Sequence, residues 1–121
     1  MIYTSYFGNC RNLPAQSRQV CIARGRPGWF TGESLLPQFD MVAPFPSLIG
    51  GYKQGRIKPD EYVGIYLNQL RQLDVLAFAN HYDGAILLCY EKVGDFCHRH
   101  ILAHLLMTKF NVRVIEFGVD K

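Results

Sequence analysis

The sequence has little charge and no long apolar run. Charged residues make up 19% of the 121 residues and form no block of one sign, while 49% are apolar and 13% aromatic. This is the composition of a folded domain rather than of a disordered segment. No stretch approaches the roughly 20 apolar residues that cross a bilayer, and the opening MIYTSYFGNC lacks the basic and apolar parts of a secretory signal. We therefore expect a single domain over residues 1–121, with no membrane partner.

Cysteine is scarce and irregularly spaced. The four cysteines are Cys10, Cys21, Cys89 and Cys97, and they include no C-x-x-C pair and no regular framework of a secreted domain. We therefore expect reduced thiols and a cytoplasmic location. A disulfide between Cys89 and Cys97 would require Cα atoms within about 7 Å, and a reducing compartment disfavours it.

The chain carries a small net positive charge. The net charge of +3 and the pI near 8.7 fall short of the basic stripe of a dedicated nucleic-acid binder, so nucleic acid is an alternative partner and not the favoured one. Four arginines nonetheless fall in one stretch near the N-terminus: Arg11, Arg18, Arg24 and Arg26. Arginine suits bidentate contacts to oxyanions. A solvated basic edge explains the cluster equally well.

Turn residues and apolar periodicity predict alternating strands and helices. The predicted strands cover residues 2–6, 19–23, 85–90 and 112–117, and the predicted helices cover 58–73, 74–82 and 96–109, the last capped by Asp95. The proline-rich stretch 35–58 is predicted to be irregular. The uninterrupted apolar run 85–90 indicates a central strand of a parallel sheet. The predicted fold is α/β: a small three-layer Rossmann-like domain with a mainly parallel sheet of about four strands.

The segment CYEKVGDFCHRH, residues 89–100, carries the candidate site. It spans the end of the central strand, a loop and the start of a helix, where unpaired N–H groups and a partial positive charge favour an anion. Arg99 adds a guanidinium to this turn. Helical spacing places His98 at the centre of the buried face, with Cys97 and Arg99 on either side of it.

The chemistry of this segment has open alternatives. Cys97 is either a thiolate activated by the helix start, His98 and Arg99, or a packed inert thiol. Glu91 could orient Arg99, act as a general base or bind a ribose hydroxyl, and a structural salt bridge to Arg99 is an equal alternative. Cys89 is interpreted as core or as a wall of the site. If the protein is an enzyme, Cys97, His98 and Glu91 are its catalytic candidates.

The same segment holds side chains that bind zinc, but their spacing disfavours a metal. The donors of suitable type are Cys89, Glu91, Cys97 and His98. The loop would have to fold a strand end and a helix start together, and C-x7-CH is not a recurrent ligand spacing. His100 and His104, an i, i+4 pair predicted on the solvent side, have no third ligand nearby in the sequence. We therefore predict no metal and no cofactor.

Aromatic residues form a second cluster. Its members are Tyr3, Tyr6, Phe7, Trp29 and Phe30. Core packing is the default interpretation. In the alternative, Trp29 or Tyr6 stacks on a base while Arg24 or Arg26 contacts a phosphate.

Three segments of the chain resemble the family called domain of unknown function 488. They are YTSYF, CIARGRPGWF and LLCYEKVGDFCHRHILA, and the resemblance covers nearly the whole chain. The family's signature maps onto Cys89, Glu91, Cys97, His98 and Arg99. Val93 stands where we would expect proline in short members. The resemblance implies the fold, the site and an origin among bacteria and their phages, but it implies no reaction.

Three functions are consistent with these residues. The leading hypothesis is a site for a small phosphorylated, nucleotide-type ligand at residues 89–99, with the base against Trp29 or Tyr6; in a phage, such a protein could sequester a nucleotide signal of host defence. The alternative is a cysteine- and histidine-dependent enzyme acting on a nucleotide or nucleic acid, although neither a C-x5-R nor a G-x-S-x-G motif is present. A third is a nucleic-acid or protein interaction module. The sequence does not determine the oligomeric state.

Overall fold

A parallel β-sheet forms the centre of the molecule. The computed structural model describes residues 1–91 and 95–117, and within them the strands are β1 (Ile2–Tyr6), β2 (Gln19–Cys21), β3 (Glu33–Ser34), β4 (Ile86–Cys89) and β5 (Val114–Glu116). All described pairings are parallel, and the strand order is β3-β2-β4-β1-β5. The α/β class with a parallel sheet is confirmed, and β4 is its central strand, as predicted. The sheet has one more strand than the four predicted from the sequence, the two-residue edge strand β3. Val93 lies outside the described residues.

The helices of the described residues are α1 (Pro46–Lys53), α2 (Pro59–Leu70), α3 (Val75–His81) and α4 (His98–Lys109), with 3-10 segments over Phe7–Asn12 and Pro37–Val42. None of these helices is long and apolar enough to span a bilayer. The positions predicted for α2 and α3 are confirmed. The prediction of irregular structure over 35–58 was wrong where α1 forms, because proline at the first position of a helix sacrifices no intrahelical hydrogen bond.

Local side-chain bonds explain where the helices begin. At α2, Pro59 occupies the first turn and the Glu61 carboxylate accepts from the Lys58 N–H at 2.9 Å. At α3, the Asp74 carboxylate accepts from the Ala77 N–H at 3.0 Å. The predicted capping of α4 by Asp95 was wrong, because the helix begins only at His98, and Cys97, with extended backbone, takes the N-cap position.

The sheet is covered on both faces by apolar side chains. Leu87 and Cys89 of β4 join the larger cluster, which contains the buried faces of α2, α3 and α4. Ile86 and Leu88 point the other way and pack with the 3-10 segment Phe7–Asn12 and the loop after β2. The layers are therefore helices, sheet, and a thin cover of 3-10 turn and loop. This alternation explains why the whole of β4 is buried.

The side chain of Gln69 holds the segment between the second 3-10 turn and α1. Its amide donates to the Met41 and Ala43 carbonyls at 2.6 and 2.8 Å, and its carbonyl accepts from the Phe45 N–H at 3.2 Å. The neighbouring Tyr66 hydroxyl donates to the Val42 carbonyl at 2.7 Å. Because both residues belong to α2, these bonds fix where α1 begins.

We predict that Gln69→Leu destabilises the protein by about 1–3 kcal/mol, because it leaves buried backbone groups without partners. The measurement is urea unfolding followed by circular dichroism. Gln72→Leu is the matched control, since Gln72 is exposed just beyond α2, and a surface change of this kind stays within about 0.5 kcal/mol. Equal stabilities of the two variants would contradict the role given to Gln69.

Candidate functional site

A cavity of about 320 Å³ opens at the end of the sheet where β2 and β4 finish. Its walls come from the residues after these two strands, from α1 and α2, and from the start of α4. The carboxyl edge of a parallel sheet is where ligands collect in α/β domains. The volume lies at the small end of the ligand-pocket range of about 300–1,000 Å³.

One wall of this cavity is aromatic. The Tyr52 and Phe96 rings stack with centroids 5.0 Å apart, and the edge of Tyr62 meets Phe96 at the same distance. Tyr90, half exposed, lies at the rim. Burial, with a smaller contribution from the charge of Glu91, raises the pKa of Tyr62, so its hydroxyl stays protonated and can donate a hydrogen bond.

The cavity also has a cationic side. Arg24 lines it and donates to the Pro44 and Ala43 carbonyls at 3.3 and 2.6 Å and to the Asp40 carboxylate at 3.0 Å. Arg24 therefore ties the chain before α1 to the cavity wall and contributes its charge there. Lys53, in the last turn of α1, is exposed at the cavity.

Cys97 and His98 lie at the inner end of the cavity. The His98 Nε2 is 2.8 Å from the Ile22 carbonyl, and its Nδ1 is 3.7 Å from the Cys97 Sγ. Burial lowers the pKa of His98 to about 4, the charge of Arg99 adding to this effect, so the ring is neutral at pH 7. Because Nε2 faces a carbonyl oxygen it carries the proton, and the Nδ1 lone pair faces the sulfur. The predicted burial of His98 is confirmed.

Arg99 lies behind the cavity wall instead of inside the cavity. Its side chain is 0% exposed, its Nη2 donates to the Glu116 carboxylate at 2.7 Å, and its Nη1 donates to the Cys89 Sγ at 2.9 Å and the Glu91 carbonyl at 2.6 Å. Of the alternatives left open for Glu91, a salt bridge from its carboxylate to Arg99 is not found among the described residues: Arg99 donates to the Glu91 backbone carbonyl instead, and Glu91 lines the cavity.

Glu116, the counter-charge of Arg99, is a residue of the candidate site that the sequence prediction missed. It accepts hydrogen bonds from Arg99 and from the Thr4 hydroxyl, its partner in the register of β1 and β5. Burial alone would raise the pKa of Glu116, but the bonds from Arg99 and Thr4 outweigh burial and lower it. The one sign of this role in the sequence is an acidic residue within the predicted strand 112–117. Its partner is distant in sequence, so pattern alone could not pair the two.

The sulfurs of Cys89 and Cys97 lie in contact, paired as a disulfide. The sequence prediction that disfavoured this pairing, and left both thiols reduced, was wrong because the chain brings the strand end and the helix start together. The Cα atoms are 7.8 Å apart, wider than the roughly 4.4–6.8 Å of unstrained disulfides. With the His98 ring these sulfurs form a cluster whose ligand atoms lie within 4.8 Å of one another. The proximity of the strand end and the helix start thus brings together donors whose sequence spacing disfavoured a metal.

Other predicted site residues lie away from the cavity. Tyr6 packs beneath Arg99, whose Cζ is 5.9 Å from the ring centroid. Arg26 donates to the Gly32 carbonyl at 3.0 Å and lies over the Phe30 ring. Trp29 is 61% exposed and meets Phe7 edge-on, 6.4 Å between centroids. The structure thus brings together Arg24, Glu91, Cys97 and His98, places Cys89 and Arg99 directly behind them, and separates Tyr6, Arg26 and Trp29 from the cavity.

The histidine pair on α4 lines a different, apolar depression together with α2 residues such as Val63 and Leu67. The predicted solvent position holds for His104 but was wrong for His100, which is partly buried. Its Nε2 has no hydrogen-bond partner among residues 1–91 and 95–117. Burial lowers the pKa of His100, and the charge of Arg99 lowers it further.

The fold and site define a class of parallel α/β domain in which a buried Cys-His-Arg turn closes one end of a small pocket. A family model described as the active DUF488-N3 subclade matches residues 7–110, and the chain belongs to this family of domains of unknown function. Neither the curated proteins nor the solved structures include a match.

We predict that Glu116→Gln destabilises the protein by about 3 kcal/mol at pH 7, because it leaves the buried Arg99 without its counter-charge. Glu116 is only 14% exposed. The control is Glu33→Gln, which breaks the exposed pair with Arg18 and should cost less than about 1 kcal/mol. Urea unfolding of both variants provides the comparison.

The pH dependence of this difference has a defined sign. Because the folded pKa of Glu116 lies below its ordinary 4.5, its contribution is complete above that value and is lost as pH falls through the lowered pKa. The stability gap between the wild type and Glu116→Gln should therefore close under acid conditions. A gap that stays constant from neutral pH into that acid range would refute the ion pair.

Proposed function

We propose that the cavity binds a small phosphorylated, nucleotide-type ligand. The observation that carries this proposal is the stacked Tyr52–Phe96 pair beside the exposed Lys53, all three lining the cavity at one end of the sheet. Flat aromatic faces take a base by stacking, and a cation at the rim takes a phosphate. The cavity volume of about 320 Å³ favours a mononucleotide over a larger ligand.

The proposed orientation differs from the one expected from sequence. Arg99 is committed to Glu116, Cys89 and the Glu91 carbonyl, and Arg24 is paired with Asp40, so the phosphate is assigned to the exposed Lys53. The base is assigned to the wall of Tyr52 and Phe96 instead of Trp29 or Tyr6. Glu91 lines the same cavity, and its carboxylate is suited to accept from ribose hydroxyls.

The proposed setting is the cytoplasm of a bacterium or of a phage-infected cell, where the protein would sequester a nucleotide signal. The resemblance to short bacterial and phage members of the family supports this setting. A reducing compartment suits Cys10 and Cys21, which are free thiols within the described part of the chain, and in this setting the Cys89–Cys97 pair would be held in its reduced form.

Calorimetric titration with AMP, ADP, ATP and ADP-ribose tests the proposal. We predict binding of at least one of them, weakened about tenfold or more by Lys53→Ala through loss of a charge-assisted contact. Tyr52→Leu should weaken binding by about fivefold or more, because it removes a stacking face while retaining apolar packing. Lys109→Ala, at the far end of α4, is the control and should bind as the wild type does.

Two results would count against the proposal. One is that none of the four compounds binds. The other is that the Lys53 and Tyr52 variants bind with the affinity of the control, which would place the ligand elsewhere.

The contact between Cys97 and His98 favours a second candidate, an enzyme acting on such a ligand. Once the Cys89–Cys97 pair is reduced, the Cys97 thiol lies beside an imidazole whose other nitrogen is anchored, which gives the nucleophile, base and orienting group of cysteine enzymes. The family model that matches is described as an active subclade, which supports this candidate. Glu91 would serve as a further acid or base at the cavity.

For the enzyme, we predict that iodoacetamide modifies Cys97 of the reduced protein faster than Cys10 and Cys21. His98→Gln removes the general base and should slow modification of Cys97 at least about tenfold. Cys21, buried on the other face of the sheet, provides the internal reference. Peptide mass spectrometry measures the rate at each site. A rate at Cys97 no greater than that at Cys21 would exclude an activated thiol.

A further inference from the structure

The cluster of Cys89, Cys97 and His98 has the composition of a metal site. The ligand atoms lie within 4.8 Å of one another, and all three residues are buried. Two thiolates and an imidazole are the donors of tetrahedral zinc sites. Arrangements with only three protein ligands belong to catalytic zinc, because the fourth position remains open.

The surroundings of His98 meet a second requirement for a metal ligand. Imidazole ligands donate their other ring N–H to a carbonyl or carboxylate, which fixes the tautomer and aims the free nitrogen at the metal. His98 does this with its Nε2 on the Ile22 carbonyl at 2.8 Å. Its Nδ1 faces the Cys97 sulfur at 3.7 Å, which is close to the separation of two donor atoms on one tetrahedral zinc.

The surroundings of Cys89 meet the requirement for a thiolate. The Arg99 Nη1 donates to the Cys89 Sγ at 2.9 Å, and a guanidinium donor stabilises the charged form of a sulfur ligand. Two thiolates neutralise a divalent cation, while Arg99 is neutralised by Glu116. The buried cluster would thus carry no net charge with the metal bound, which limits the cost of burial.

The backbone spacing of the cysteines suits two ligands of one ion. Their Cα atoms are 7.8 Å apart, wider than the roughly 4.4–6.8 Å typical of disulfides. Two sulfurs on one tetrahedral zinc are about 3.8 Å apart, from Zn–S bonds of about 2.3 Å, and this longer separation suits the wider backbone spacing.

We infer that Cys89, Cys97 and His98 of the reduced protein bind a zinc ion whose open coordination position faces the cavity. Cys97 and His98 line that cavity, so a water molecule or a phosphoryl oxygen of a ligand can reach the fourth position. This inference goes beyond the proposed ligand and does not depend on it, because the metal donors are distinct from the aromatic wall and from Lys53.

Cobalt substitution in the full chain tests the inference without any nucleotide. The protein is reduced, stripped with a chelator and titrated with Co²⁺ under argon. We expect one ion per chain, a thiolate-to-cobalt charge-transfer band in the near ultraviolet and visible bands of tetrahedral cobalt, all abolished by added Zn²⁺. Elemental analysis of protein purified under reducing conditions should show zinc.

The variants separate a metal site from general damage. Cys97→Ser and His98→Gln should each weaken cobalt binding at least about 100-fold, since even outer-shell partners of a metal account for 10–100-fold. Cys21→Ser, which removes a buried thiol outside the cluster, should bind as the wild type does. If a variant fails to fold, the wild-type spectrum by itself shows whether cysteines bind the metal, because the charge-transfer band requires thiolate ligands.

Absence of these bands in the folded, reduced wild type would overturn the inference and leave the cysteines as a disulfide or thiol pair. So would retention of full affinity in Cys97→Ser and His98→Gln. Failure of the nucleotide proposal is distinguishable, because Lys53→Ala should lose nucleotide affinity with cobalt binding intact.

Discussion

Burial of the Arg99 guanidinium is the constraint on which the rest of the site depends. A fully buried charge costs several kcal/mol unless its donors are paired and its charge is balanced. The pairing partners come from three places: the Glu116 carboxylate of β5, the Cys89 sulfur of β4 and the Glu91 carbonyl just beyond it. The first turn of α4 is therefore fixed against the sheet. Its neighbours Cys97 and His98 are held toward the cavity for the same reason.

In this arrangement the residues that line the cavity are different from the residues, Arg99 and its partners, that hold the start of α4 in place. The inner end is neutral, because His98 is uncharged and hydrogen-bonded to the Ile22 carbonyl. Lys53 is exposed at the rim, where Arg24 is paired with Asp40. Under the proposed function the phosphate would therefore lie at the rim, and the inner end would present sulfur and imidazole to the part of the ligand that lies deepest. The sequence prediction had the opposite orientation, with the phosphate at the start of α4 beside Arg99.

The local features of the fold were predictable, and the long-range pairings were not. The apolar run of β4, the positions of α2 and α3 and the burial of His98 all follow from residues close in sequence. The partnership of Arg99 with Glu116 joins a helix to an edge strand, and no short pattern encodes it. Likewise α1 begins where it does because Gln69 of α2 holds the preceding backbone. The cavity wall at Tyr52 and Lys53 depends on that tertiary contact.

The family signature combines residues with different physical roles. Arg99 and Cys89 are fully buried and mutually bonded, whereas Cys97, His98 and Glu91 line the cavity. Loss of activity after replacing Arg99 would therefore say little about substrate, because the same change unpairs Glu116 and releases the helix start. A role in chemistry can be assigned only where the variant keeps the stability of the wild type. By that criterion Glu91 is the most informative position of the signature, since it lines the cavity while its hydrogen bond to Arg99 is made by its backbone carbonyl and is kept when the side chain is replaced.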